Sequence, residues 1–117
     1  FYLERGLLTE SDGSTYGPWR RYHYPNHYYY DLLVGLDLLT GLGHGRDARL
    51  APRLDELEGK RNPDGSWNLD AHHPDIDPSD AEQWTRPFYP FALEDPGRPS
   101  RWATLTALRV LRGAGRA

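Results

Sequence analysis

The chain has 117 residues and a net charge of −3, enough for one domain with a modest core and too acidic to wrap a nucleic acid backbone. It contains no cysteine, which excludes disulfides, thiolate zinc sites and cysteine nucleophiles together. No run is long enough to span a bilayer and none resembles a signal peptide, so the expectation is a cytoplasmic protein without a transmembrane segment.

The first residues, Phe1 to Leu8, read as the tail of a helix, and Thr9 to Pro18 is dense in turn formers. Trp19 to Tyr30 is an aromatic cluster leading into a helix, for which Asn26, just after Pro25, offers an N-cap. From His27 to Leu42 the apolar positions wrap nearly the whole cylinder, as in a helix with neighbours on most sides. Gly41, Gly43 and Gly45 supply its C-cap and turn; a phosphate cradle would need a preceding strand. A second helix over Asp47 to Lys60 shows Leu50, Leu54 and Leu57 on one narrow stripe, with Pro52 confining or bending its start. A fully apolar helix beside an amphipathic one predicts an antiparallel hairpin over residues 27–60.

Pro63-Asp64-Gly65 is a turn signal, and residues 61–99 read as a long irregular loop. Its first part is acidic, with Asp64, Asp70, Asp75, Asp77, Asp80 and Glu82; its second, from Trp84 to Phe91, is aromatic and stiffened by prolines. Ser100 caps a final helix over residues 100–112, whose apolar stripe reads as Trp102, Leu105, Leu108 and Leu111. Asp31 and Asp37 in the first helix need partners. Arg20, Arg21, Arg101 and Arg109 are the candidates, and at least one such pair is expected to hold the final helix against the hairpin.

The helix end followed by Asp64-Gly-Ser-Trp67, then the capped Ser100-x-Trp102-x-Thr104-x-x-Ala107-Leu108 helix, resembles the repeats of the squalene cyclase and prenyltransferase superfamily. With Arg5-Gly-Leu-Leu8, Tyr22-His-Tyr-Pro25, Tyr30-Asp-Leu-Leu33, Lys60-Arg61 and Pro99 to Arg112, the likeness narrows to a bacterial group of proteins carrying such repeats. The resemblance implies an all-α fold of αα-hairpin repeats, a partial α/α toroid with a long irregular loop. The segment would be the C-terminal part of a larger toroid, contributing wall and packing to a terpenoid cyclase-like or prenyltransferase-like protein. The alternative is a non-catalytic helical scaffold that binds an apolar ligand or another protein.

For chemistry, Pro74-Asp75-Ile76-Asp77-Pro78 is similar to the Asp-x-Asp-Asp acid motif of class II terpenoid cyclases, with Asp77 as the acid and Asp75 as its neighbour. Such enzymes protonate an alkene and guide the cation along aromatic walls. Here Pro78 replaces the last Asp, and an acidic segment rich in proline is most often solvated surface. The aromatic set Trp19, Tyr22, His23, His27 and Tyr30, with Trp67, Arg101 and Trp102, is the candidate wall for an isoprenoid or other apolar ligand; packing at a helix entrance is the plainer reading. No metal site is assigned, because His72 and His73 point different ways in an extended segment and the neighbouring carboxylates lack a calcium loop's glycine and terminal Glu. No cofactor is implied. The expected partners are an apolar small molecule and either the rest of a larger toroid or further copies of the chain.

Overall fold

A computed structural model describes residues 1–26, 29–72 and 93–117. Among them are three α-helices, α1 (Leu32–Gly41), α2 (Ala51–Gly59) and α3 (Arg101–Gly113). Short 3-10 turns cover Gly17–Arg20 and Ala48–Leu50, and β1 (Trp67–Asn68) pairs antiparallel with β2 (Pro99–Ser100). The chain is therefore not all-α, and the expectation of a stack of αα-hairpin repeats forming part of an α/α toroid is corrected. The reason lies at Pro99, which disfavours helical backbone in the residue before it and has no N–H to donate. The chain reaches α3 in extended form, and Trp67 lies opposite Ser100.

Local chemistry sets each helix end. Asp31, in extended conformation, accepts a hydrogen bond from the Val34 amide and starts α1 five residues later than Asn26 would have done. Phe1 to Leu8 is a run of turns, interrupted where Leu7 takes φ 67°. Asp47 caps the 3-10 turn before α2, in which Pro52 occupies the first turn, where its missing N–H breaks no helical bond. Ser100 caps α3 through the Ala103 amide at 3.0 Å.

The core is built by Leu32, Leu33, Leu36 and Leu39 of α1, Leu54 and Leu57 of α2, and Ala103, Ala107, Val110 and Leu111 of α3. Trp67 is fully buried among them, its indole N–H donating to the Leu57 carbonyl at 2.7 Å. The α3 face is thus set differently from the one read in the sequence. Leu111 is buried, but Leu105 is 65 % and Leu108 38 % exposed. The face bearing Ala103 and Ala107 packs inward, and the leucines at 105 and 108 turn out.

The two helices run in the same direction. Asp37 pairs with Arg109, the acid and base that sequence reasoning set down as candidates, and one turn further on Thr40 stands against Gly113. A Cβ at Gly113 would lie 3.1 Å from that of Thr40, so glycine permits the approach. Arg116, bonded to Asp55 at 2.7 Å and close to Glu58 at 3.4 Å, ties the end of the chain to α2.

Candidate functional site

The extended segment Tyr22-His23-Tyr24 runs beside Asp70 and Ala71, at the end of the molecule where α1 and α3 begin. Tyr22 O accepts from the Asp70 amide at 2.8 Å, and the Tyr24 amide donates to Ala71 O at 3.3 Å. The pairing continues through side chains. The Asp70 carboxylate accepts from the Tyr22 amide and from Lys60 Nζ, both at 2.8 Å. Lys60 also donates to the Arg20 carbonyl and covers the Tyr22 ring at 3.8 Å. Lys60, the only lysine of the chain, thereby holds three strands of backbone together.

His23 and Asp31 are both wholly buried, with Nδ1 of the imidazole 2.7 Å from Oδ2 of the carboxylate. The carboxylate lies beside the Nδ1–H direction rather than in line with it, so the contact is not an aligned hydrogen bond. It becomes an ion pair when both ring nitrogens are protonated. The same oxygen accepts from the His23 amide at 3.0 Å, while Oδ1 caps α1. His23 Nε2 has no hydrogen-bond partner among the described residues. A histidine beside a carboxylate, with a free ring nitrogen, has the composition of a general base. Zero exposure of both groups keeps solvent and substrate from that nitrogen.

The aromatic candidates separate into three settings. Trp19 meets Tyr30 edge to face at 5.5 Å, and Tyr30 donates its hydroxyl proton to the Leu7 carbonyl at 2.9 Å. Tyr22 lies inside, where burial first, and then the charges of Glu56, Asp31 and Asp70, push its hydroxyl well above the ordinary range. Burial and the nearby Asp31 carboxylate do the same to Tyr30. Trp102 stacks on Tyr24 at 4.9 Å with the planes 33° apart, next to the cis Tyr24–Pro25 peptide. Trp67 faces the other way, into the core beneath α3.

Arg101 begins α3 with its side chain fully exposed, its guanidinium 3.8 Å from Glu94. Glu94 also receives the Arg101 amide at 3.0 Å and a short hydrogen bond from Ser100. Its carbonyl lies 2.6 Å from His72 Nε2. His72 and Glu94 therefore lie together. His27, Asp75 and Asp77 lie outside the described residues, as do the metal-ligand types His73 and Asp80. Among the described residues no group of three or more acid or histidine side chains is placed to hold a metal.

Sequence reasoning named Tyr22, His23 and Tyr30 but missed what holds them: Asp31 as cap and histidine partner, and the Lys60–Asp70 bridge. A readable signal was Asp31 standing directly before an unbroken apolar run, the position of an N-cap. No local signal marks Lys60 and Asp70, which meet across a turn.

At the far end, the termini of α1 and α3 frame an open recess of about 380 Å³, lined by Asp37, Thr40, Gly41, Arg109, Arg112 and Gly113. No helix among the described residues is long and apolar enough to cross a membrane. Compared with family models, with curated proteins and with solved structures, the chain matches none.

Proposed function

We propose that this chain is a non-catalytic segment of a terpenoid cyclase-like or prenyltransferase-like protein, and that it contributes packing and a binding face rather than chemistry. The observation that carries this reading is the layer formed by α1 and α3. Its inner side is core, while its outer side exposes Leu38 of α1, Leu42 just past its end, and Leu105 and Leu108 of α3, with the Asp37–Arg109 pair linking the helices. Exposed leucines on both helices of one layer favour a partner more than solvent. The wholly buried His23–Asp31 pair and the inward Trp67 support the non-catalytic half, since neither group can touch a substrate without unfolding its surroundings. The likeness of Asp64-Gly-Ser-Trp67 and Ser100 to Leu108 to cyclase and prenyltransferase repeats supports the choice of parent.

The test is direct. Incubated with squalene and with prenyl diphosphates, the chain is expected to yield no cyclised or transferred product. Product that forms with the unaltered chain and disappears with His23→Gln would overturn the reading.

A further inference from the structure

The outer face of α3 has a finer pattern than a pair of exposed leucines. Arg101, Leu105, Leu108 and Arg112 follow one another at spacings of four, three and four residues. That alternation places all four side chains on one stripe, the spacing of the seam along which two helices pack. The stripe points away from the core: Arg101 and Arg112 are exposed, and Leu105 and Leu108 are the exposed apolar residues of this helix. It is therefore half of a helix–helix contact, with two leucines in the middle and a guanidinium at each end. At 1.5 Å per residue the two arginines stand about 16 Å apart along the axis.

Charge selects the occupant. The helix Arg101–Gly113 contains no acidic residue, so it is a positive face on a chain whose net charge is −3. Arg109, off the stripe, is already held by Asp37. Arg112 has no acidic partner among the described residues, and Arg101 has only Glu94, at 3.8 Å. A second copy of the chain docked through this stripe would set arginine against arginine in either direction, 101 on 101 when parallel and 101 on 112 when antiparallel. Like charges so placed oppose association. An anionic bilayer meets the charge but little else, because interfacial binding grows with apolar area and the opposite face of α3 is locked in the core.

We propose that the stripe Arg101–Leu105–Leu108–Arg112 docks a helix of a partner protein that carries two adjacent-turn apolar residues bracketed by carboxylates. The leucines supply apolar contact, and the two guanidiniums fix register by pairing with acids at both ends of the partner's apolar pair. This deepens the binding face proposed above and rests on it.

The experiment uses a stapled, fluorescein-labelled helical peptide with Leu at the two central seam positions and Glu four residues outside each. Its anisotropy is titrated with the full chain at low and at high salt. Saturable binding is expected, weakened by salt. Arg101→Glu/Arg112→Glu should weaken it at least about fivefold, equivalent to ~1 kcal/mol over two exposed ion pairs, and a peptide with Lys in place of Glu should restore it to that variant. Leu105→Asp should weaken it about tenfold or more. Circular dichroism checks that both variants remain folded; should Leu105→Asp unfold, the charge swap alone decides. Equal binding of the Glu peptide and its Gln counterpart would overturn the inference while leaving the apolar face in place. Absence of binding would overturn it, as would preference for phosphatidylglycerol vesicles over the peptide. The isoprenoid turnover assay reads the parent proposal separately.

Discussion

At Tyr22 the ring is buried beneath Lys60, and its hydroxyl has no hydrogen-bond partner among the described residues. Burial holds the proton on that oxygen to higher pH than in the unfolded chain, where tyrosine ionises near about 10. The unfolded state thus releases a proton that the native state keeps, and stability falls as pH rises above that value. The contribution is fully present below about pH 10 and is lost on the alkaline side. Urea midpoints measured at about pH 9 and about pH 11 should show this loss, and Tyr22→Phe should reduce it. At neutral pH the same substitution is expected to leave stability unchanged or raise it, because it removes a buried hydroxyl without a described partner. Asp31 behaves oppositely. It caps α1, accepts from the His23 amide and faces the His23 ring. Asp31→Ala is expected to cost about 3 kcal/mol in urea unfolding, the sum of a lost cap and a buried His23 amide left without its acceptor. A cost within a few tenths of a kcal/mol would show that the pair is not part of the framework.

Glycine contacts separate tight joints from loose ones among the elements. A methyl group on Gly45 would run into the Gly113 carbonyl and come within 2.9 Å of Ala114 Cα, backbone that closes the end of α3. Gly45→Ala should destabilise by about 1–3 kcal/mol. Gly41, the last residue of α1, has nothing within 4 Å of a built Cβ. Gly41→Ala should therefore stabilise by up to about 1 kcal/mol, and thermal melts of the two variants should move in opposite directions. These joints also explain what could be read from the sequence. Leu54 and Leu57, with Leu50 just before them, were legible as one stripe because α2 packs on a single side. The Ser100 cap was legible because capping is local. The start of α1 was not: Tyr28 to Tyr30 continue an apolar pattern that suits a helix, yet Asp31 intervenes with an extended backbone. The inner face of α3 was misread because size and burial diverge there. Ala103, Ala107 and Val110 are buried beside Leu111, while Leu105 and Leu108 turn outward. The pairing of Trp67 with Ser100, and of Tyr22 with Asp70 and Ala71, depends on contacts distant in sequence that no periodicity reports.

In the whole molecule, α1 and α3 share a direction and form one layer, closed on its inner side by α2, the N-terminal turns and Trp67. The polar groups that look most like chemistry, His23, Asp31, Lys60 and Asp70, sit where the extended segments join that layer. Their geometry explains how the helix ends are held. What is left over is the outer side of the layer, whose leucines, on the proposed reading, serve contact with a partner rather than the stability of this chain. Chemical denaturation of the Leu105→Ser/Leu108→Ser double variant separates the two roles. Surface leucines lose little when replaced, so the unfolding free energy should stay within about 1 kcal/mol of the unaltered chain. A loss of about 3 kcal/mol or more, the size expected for core leucines, would contradict it.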